Sequence, residues 1–567
     1  MAQEVLLYIS IIIAISAVLT VVARIIRQPP IIAYLIAGIL VGPLFLDIIG
    51  PSSSSSELIQ IFAHIGVAFL LFIVGLSLDF RVLKEVGGVS TFAGIAEIAI
   101  TGVIGAFIAI GLGFSNITAL YIGAALAFSS TVVVVKILSD KKEIDTLHGR
   151  IALGILIVED FIAAIALMAI PLLQNGGTPL YILGKLGYVV LLIAFIFVCS
   201  IFLFRRLLDY LARNQEVLFL FGVAWALVLA TLFDLLGFSL EIGALIAGMS
   251  LASSKYTIDL SGKMKPLRDF FMVLFFVFFG SQLAGTINWD LIQKALLFSL
   301  FIIIGKPIIV MSILRMFGYK KRTNFLAGSS LAQISEFSLI LVLLGFSLGH
   351  LNQEIMSLAV LIAIITIGVS SYSIYYAHSI FNKISHLLHI FEGKKQRLES
   401  AKKEESYEIL LIGHHRLGYQ ILKSVKKLNK SFAVIDYNPK VILSLGEEGT
   451  NCIYGDAGDR DFLSQLDLSK TKLIISTMPE EEANLNIRDR IKQINSKITF
   501  IATAEQPRYA LDLYESGVDY VIVPHHLGGK FVSTIINAFG TSKDKYKEAG
   551  KDHYKELKSA KKSSSFM

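Results

Sequence analysis

The chain has 567 residues, 54% of them hydrophobic and only 17% charged, where a typical soluble protein has roughly 25% charged. That balance excludes a wholly soluble protein. A net charge of +7, thinly spread and with no basic strip interleaved with aromatics, excludes a nucleic-acid partner. Two distant cysteines, Cys199 and Cys452, exclude a disulfide framework and a cysteine-based metal site.

In chain order, apolar runs follow one another from residue 3 to about 382. Thirteen can be read, at roughly 4–23, 31–48, 58–78, 89–112, 117–138, 151–173, 182–204, 216–233, 239–252, 270–285, 291–314, 325–348 and 355–380. A membrane-spanning helix needs about 20 apolar residues, and most runs meet that length. The first run has no basic segment before it; Arg24 and Arg27 follow it, unlike a signal peptide. The odd-numbered connections hold 18 Lys and Arg and the even-numbered ones none. Positive residues stay on the cytoplasmic side. The pattern predicts a multi-pass protein of the cell membrane, with the N-terminus outside and everything after the last span cytoplasmic. Its bilayer partner is lipid.

Composition changes after residue 382. The membrane domain is expected over 1–382 and a charged linker over 383–406. Residues 407–540 alternate short β-rich runs (YEILLIG, SFAVIDY, CIYG, KLIIST, ITFIAT, YVIVP) with amphipathic stretches. That alternation predicts an α/β domain with a parallel sheet and crossover helices. The tail 541–567, with eight lysines and four acidic residues, is expected to be disordered or a loose helix near the anionic leaflet.

Ionisable groups inside spans are costly and mark function. The sixth run reads GRIALGILIVEDFIAAIALMAIP, with Glu159 and Asp160 side by side near its centre. Adjacent helix positions point about 100° apart, so the two carboxylates can converge on one cavity. They cannot both carry charge cheaply there unless a cation arrives, so a proton and a metal ion compete for the site. Carboxylate oxygens suit hard cations such as Na⁺ or K⁺. Lys306, in FIIIGKPIIV, needs a carboxylate partner, and Glu159 or Asp160 is expected to supply it. Two spans carry polar interruptions: Ser129, Ser130 and Thr131 in the fifth run, and Ser329, Ser330, Gln333, Ser335 and Glu336 in the twelfth. Paired breaks in the two halves of a transporter point to inverted repeats with broken helices. Glu336 or Lys136 would compensate partial charges at half-helix ends. Glu97 reads as part of a dimer face, a proton path, or a pair with a lipid headgroup or a neighbour; His64 reads as interfacial and Cys199 as a small hydrophobe.

These segments resemble a known family. RQPPIIAYLIAGILVGP (27–43), FLLFIVGLSLD (69–79), FSSTVVVVKIL (128–138), LGILIVEDFIA (153–163), EIGALIAGMSLA (241–252), PLRDFFMVLFFVFFG (266–280) and SLAQISEFSLILV (330–342) are similar to the monovalent cation:proton antiporter-2 superfamily, including the Kef-type potassium efflux systems. The resemblance implies a polytopic helical fold of thirteen spans, with inverted repeats, two crossed broken helices and a dimerisation domain, working as a homodimer by elevator-type alternating access. It implies Asp160 as the essential cation and proton carboxylate, Glu159 as its neighbour, Lys306 as the core lysine, and Ser130, Thr131 and Glu336 in the crossover. In that superfamily the residue before the aspartate is Asp in many sodium-exchanging members and Gln in the Kef-type members. Here it is Glu159. Two titratable acids beside one lysine allow more than one proton per ion. No cofactor is expected for transport.

In the soluble part, LLIGHHRLGYQIL sets Gly413, His415 and Gly418 in a G-x-G-x-x-G register, with Arg416 in the same turn. The turn follows a strand and opens a helix, and Asp436 lies at the end of the next strand, a dinucleotide-binding context. The segment resembles the TrkA-N regulatory domain of K⁺-conductance proteins, as do NCIYGDAGDRDFL (451–463) and VIVPHHLGGKFV (521–532). On that resemblance Asp436 holds an adenosine ribose and Asp456 lies near the adenine. His415 stands where the second glycine admits a pyrophosphate, so the open choices are AMP, NAD(H) in a shifted pose, and a vestigial dimerisation scaffold. The sequence therefore reads as a K⁺/H⁺ or Na⁺/H⁺ antiporter with a nucleotide-sensing domain. The rival is a gated K⁺ channel, which needs a TVGYG-like carbonyl ladder that does not occur. A membrane-anchored NAD-dependent enzyme would need a second lobe and an intact glycine triplet.

Overall fold

The structure is a computed structural model. It describes residues 2–49, 54–77, 88–174, 205–392 and 406–563, except 142, 145, 212–213, 237–239, 253, 255, 284–287, 415, 437–438, 456, 459–461, 464–465 and 495–496. Of residues 175–204 it describes only 191–192, 195–196 and 198, so most of the run at 182–204 lies outside the described residues. The chain divides into two compact units, Met1–Lys394 and Lys395–Met567.

Among the described residues, the regular structure of the first unit is all helical. Its elements are α1 (Ala2–Ile25), α2 (Pro30–Val41), α3 (Ser54–Ser77), α4 (Gly88–Gly111), α5 (Asn116–Ala127), α6 (Thr131–Asp140), α7 (Leu147–Gln174), α8 (Arg205–Leu211), α9 (Gln215–Leu235), α10 (Leu240–Leu251), α11 (Thr257–Ser281) and α12 (Trp289–Leu300). A π turn over Phe301–Gly305 leads into α13 (Lys306–Met316), followed by α14 (Lys321–Ser330), α15 (Glu336–Ser347), α16 (Gln353–Tyr375) and α17 (Ala377–Ile384). Among the described residues, seven helical stretches are long and apolar enough to cross a membrane: Leu6–Ile25, Ile59–Leu76, Gly88–Gly111, Asn116–Asp140, Gln215–Leu235, Trp289–Met316 and Gln353–Tyr375. Shorter apolar helices stand at Pro30–Val41, Ile242–Leu251 and Glu336–Ser347. Residues 270–281 of the apolar run at 270–285 form the second half of the longer α11, whose first half is charged and contains Pro266.

Large apolar side chains such as Leu6, Val18, Val21 and Phe107 are exposed, as expected of helices whose solvent is hydrocarbon. Contacts between helices rely instead on small residues that let backbones meet. A side chain at Gly38 of α2 would meet the Val277 carbonyl of α11 at 2.2 Å, and one at Gly280 of α11 would meet the Leu35 carbonyl of α2 at 2.2 Å. These two glycines therefore fix how closely α2 and α11 cross. Among the described residues the unit's core falls into four clusters, the largest of which includes Leu35, Phe128, Phe275, Phe279, Phe298 and Phe337.

The second unit is a parallel six-stranded sheet in the order β3-β2-β1-β4-β5-β6. The strands are β1 (Ile409–Ile412), β2 (Phe432–Asp436), β3 (Cys452–Tyr454), β4 (Leu473–Ser476), β5 (Thr499–Thr503) and β6 (Tyr520–Ile522). Each falls within one of the β-rich runs read from the sequence. Register runs Ile409 opposite Phe432 on one side of β1 and opposite Leu473 on the other. The crossover helices include α18 (Arg416–Lys427), α19 (Pro439–Glu447), α20 (Glu481–Ile494) and α21 (Pro507–Glu515). After β6 come α22 (Pro524–Phe539) and α23 (Lys543–Ser563). Lys543–Ser563 of the tail is thus helical, the second of the two expectations. Residues such as Lys, Glu, Ala and Leu in KELKSAKK are good helix formers, which outweighs the charge bias towards disorder.

Candidate functional site

The site is built where two helices break. The first break separates α5 from α6. Phe128 leaves α5 in extended conformation, and Ser130 (φ −74°, ψ 109°) caps α6, its hydroxyl accepting from the Val133 N–H at 3.4 Å. The second separates α14 from α15. Ser335 (φ −95°, ψ 161°) caps α15 by accepting from the Phe337 N–H at 3.1 Å, and the Ser338 hydroxyl accepts from the Ser335 N–H at 3.2 Å. Serine at both caps supplies the oxygen that orphan helix N–H groups require. The breaks touch: Ser129 Oγ donates to the Leu331 carbonyl at 3.2 Å, and Ser338 Oγ donates to the Ala125 carbonyl near the end of α5. These two bonds bring the polar interruptions at 129–131 and 330–338 into contact.

Three carboxylates are anchored on three consecutive residues of the first break. Glu159 of α7, fully buried, accepts from the Ser129 N–H at 2.6 Å, and the Ser129 hydroxyl lies 3.3 Å from its other carboxylate oxygen. Glu336, the first residue of α15, accepts from the Ser130 hydroxyl at 3.0 Å. Asp160 accepts from the Thr131 hydroxyl at 2.9 Å. Glu336 also lies in the first turn of α15, where the positive end of the helix dipole favours an anion. Gln333 turns the other way and donates to the Ser330 carbonyl at 3.1 Å, closing the end of α14. Ser329 and Ser330 donate back to Phe325 and Leu326 in their own helix.

Lys306 is not paired with Glu159 or Asp160 as the sequence suggested. Its ammonium lies 3.4 Å from Glu97 Oε1 on α4, and both side chains are fully buried. It also donates to the Ala127 carbonyl, the last of α5, at 2.5 Å. Glu97 is held by the Thr101 hydroxyl at 2.8 Å, one helical turn on. The physical reason is rotational. The π turn Phe301–Gly305 immediately precedes Lys306; its i→i+5 bonds put an extra residue in the turn and so rotate the face on which the following residues lie. Glu97 is the site residue that pairing by sequence missed; Thr101 at i+4 was the available signal. Lys136, proposed as a compensating charge, instead pairs with Asp140 at the exposed end of α6.

In the second unit the turn after β1 has the strain and closeness that glycine permits. Gly413 has φ +84°, and a side chain there would meet Thr477 Oγ1 at 2.5 Å. A side chain at Gly418 would meet the Gly413 carbonyl at 2.0 Å, so α18 packs directly on the turn. These are the roles of the first and third glycines of a dinucleotide fingerprint. Asp436 ends β2 as expected, and its carboxylate accepts from the His414 N–H at 2.8 Å. The turn lies at the reversal of strand order between β1 and β4, where open α/β sheets bind ligands. Arg416 opens α18; His415 and Asp456 lie outside the described residues.

Residues 11–375 match the sodium/hydrogen exchanger family, transmembrane part. The chain belongs to that family. Its members are transporters, not enzymes. Residues 409–524 match the TrkA-N domain. The chain is 30% identical over 533 residues to the putative cation/proton antiporter YbaL of Escherichia coli, covering 89% of this chain and 92% of the relative. It is 32% identical over 325 residues to K(+) efflux antiporter 6 of Arabidopsis thaliana, covering 56% of this chain and 53% of the relative. Among solved structures, the sodium proton antiporter MjNhaP1 from Methanocaldococcus jannaschii superposes with a TM-score of 0.50 at 18% identity, over 68% of this chain and 99% of that one. That likeness places the membrane unit in the same fold.

Proposed function

We propose that the protein exchanges a monovalent cation, K⁺ or Na⁺, for protons by alternating access at Asp160. The observation that carries this reading is the anchoring of Asp160 and Glu336 on consecutive hydroxyls, Thr131 and Ser130, where the two broken helices cross. A cation arriving there meets carboxylate and hydroxyl oxygens, the donor set of hard cations. When it leaves, a proton neutralises Asp160 in its place. Glu159 serves as the anchor of the break through Ser129, and Lys306 has its charge answered by Glu97. Glu336 is tied to Ser130 in the first turn of α15, where the helix dipole answers its charge; that division of labour leaves Asp160 as the exchanging carboxylate and supports one proton per cation. Relatives named for K(+) efflux support K⁺ as cargo.

The reading carries its topology with it: thirteen spans, N-terminus outside, a membrane domain over 1–382, a linker over 383–406, a cytoplasmic regulatory domain over 407–540 and the tail 541–567. It works as a homodimer in pH homeostasis. The regulatory ligand is a nucleotide, AMP or NAD(H), held by the Gly413–Gly418 turn and Asp436. The glycine cradle and the acid at the end of β2 fit such a ligand. Everted vesicles with a pH-sensitive dye test the transport claim: K⁺ or Na⁺ added outside should dequench the dye, and Asp160→Asn should abolish the response. Undiminished exchange in that variant would remove Asp160 from the mechanism.

A further inference from the structure

A second cluster of titratable groups lies away from the crossing, around the loop 141–146 that joins α6 to α7. Glu143 gathers Lys141 Nζ at 2.8 Å and His378 Nε2 at 3.1 Å on one oxygen, and His148 Nε2 at 3.2 Å on the other. Burial pushes the Glu143 carboxyl up, but the bonds from His148 and His378 and the charge of Lys141 outweigh it and hold it well below the usual carboxylate range. Glu143, His148 and His378 are close enough to share one cation, so a metal is the first candidate. The surroundings oppose it. A ligating imidazole donates its second nitrogen's proton to an acceptor, yet His378 Nδ1 lies 3.2 Å from Arg322 Nη2.

That contact fixes the proton. A guanidinium only donates, so His378 Nδ1 accepts. The single proton of the neutral ring therefore sits on Nε2 and is donated to Glu143. One tautomer satisfies both bonds. A second proton, at Nδ1, sets N–H against N–H and two cations face to face. His148 differs. Its Nε2 faces Glu143, and its Nδ1 lies 3.0 Å from Thr146 Oγ1, whose own proton goes to the Glu143 carbonyl at 2.7 Å. Both nitrogens of His148 face acceptors, so protonating it breaks no bond.

We propose that His378 is a proton-operated latch that ties α17, the segment leaving the membrane unit, to α14 and to the loop before α7. Arg322 is the second residue of α14, the half-helix that runs to the second break. Glu143 precedes α7, which carries Asp160. The latch therefore joins both halves of the crossing to the segment that continues into the nucleotide-binding unit. Among the described residues, the charged and titratable groups around His378 are Glu143, Lys141 and His148 from the loop and α7, and Lys321 and Arg322 from α14. α16, which also packs on α17, has Glu354 as its one acidic or basic residue, at the opposite end. Protonation from the cytoplasmic side opens the Arg322 bond, removes the brace between the halves, and slows exchange. This rests on the exchanger reading and its inward orientation.

The test is exchange in everted vesicles with only the outer, formerly cytoplasmic, pH varied. His378→Gln is the deciding variant. Its amide N–H can donate to Glu143 and its carbonyl can accept from Arg322, so it keeps the closed latch and does not titrate. Arg322→Gln is the second, because an amide accepts from a protonated Nδ1 as readily as it donates to a neutral one. Wild-type exchange should fall by about tenfold on acidification from about pH 7.5 to about pH 5.5, and both variants should flatten that fall to about twofold or less. His378→Lys should be slow at every pH. Both Gln variants following the wild-type profile would overturn the latch while leaving the exchanger intact. Saturable binding of ZnCl₂ that is lost in His378→Gln would overturn it in favour of a metal site. Wild-type vesicles with no cation-dependent response at any pH would instead remove the exchanger reading.

Discussion

Lys306 pairs with Glu97, 3.4 Å away and equally inaccessible to solvent. The pair joins α13 to α4, and the bond from Lys306 to the Ala127 carbonyl ties both to the end of α5. Removing one partner leaves an uncompensated charge away from water, at a cost of about 3–5 kcal/mol. Glu97→Gln and Lys306→Met should each lower the melting temperature of the detergent-purified protein markedly. The double variant should recover much of the loss, since an apolar or neutral replacement of both groups removes the stranded charge. A double-mutant cycle on thermal unfolding measures this coupling. Additive losses would show that the two residues act separately.

Thr131→Val keeps the shape of the side chain and deletes the hydroxyl on Asp160. A hydrogen bond to a charged group contributes about 1.5–3 kcal/mol. Cation affinity, read as the concentration giving half-maximal dequenching, should weaken by roughly tenfold or more while the protein still folds. An unchanged value would place the cation elsewhere.

Glu159→Gln separates anchor from carrier. The amide oxygen still accepts from the Ser129 N–H, so the break should hold and exchange should stay one-for-one. Glu159→Ala removes the acceptor and leaves the Ser129 N–H without this partner. It should lose stability by about 1–3 kcal/mol. The check is the response of exchange to an imposed membrane potential. A response in the wild type that vanishes in Glu159→Gln would make Glu159 a second proton carrier.

The parts of this site that depend on local sequence were legible in it. Ser129-Ser130-Thr131 and Ser335-Glu336 announce caps and breaks by residue type alone, and each strand of the α/β unit lies in a short β-rich run. The lysine's partner was not legible. It depends on the π turn before Lys306, which changes the face of the helix, and on which of several buried acids α13 meets when it packs on α4. Pattern within one helix carries neither fact. The Glu143 cluster was hidden for a similar reason: Glu143 and Arg322 fall in two separate connections that read as ordinary loop charge, and His378 lies at the end of the last apolar run.

Glu143 also gives a pH dependence of stability with a definite sign. Its carboxyl is held low in the folded state by His148, His378 and Lys141 against the effect of burial. A depressed carboxyl stabilises the fold fully above its unfolded value, about 4.3, and loses that contribution as pH falls towards the folded value. Melting temperature should therefore decline on acidification below about pH 5, and Glu143→Gln should decline less steeply there. At neutral pH the variant should already be less stable. Parallel curves for the two proteins would mean that Glu143 gains nothing from its partners.

The turn after β1 supplies the last test. At Gly413 an alanine must adopt φ +84°, and at Gly418 its Cβ would lie 2.0 Å from the Gly413 carbonyl. Gly418→Ala cannot be absorbed by a side-chain movement, because the obstacle is backbone. It should push α18 off the turn and destabilise the α/β unit. Strain of about 1–3 kcal/mol is expected at Gly413→Ala, enough to weaken the turn without unfolding the unit. Asp436→Asn is the milder probe: its amide oxygen still accepts from the His414 N–H, but the charge that would meet a ribose is gone. Thermal shift of the full chain with AMP and with NADH reads all three. The nucleotide-dependent shift should be present in the wild type, reduced by Asp436→Asn and Gly413→Ala, and absent in Gly418→Ala. A shift that Asp436→Asn leaves intact would place the nucleotide away from the end of β2.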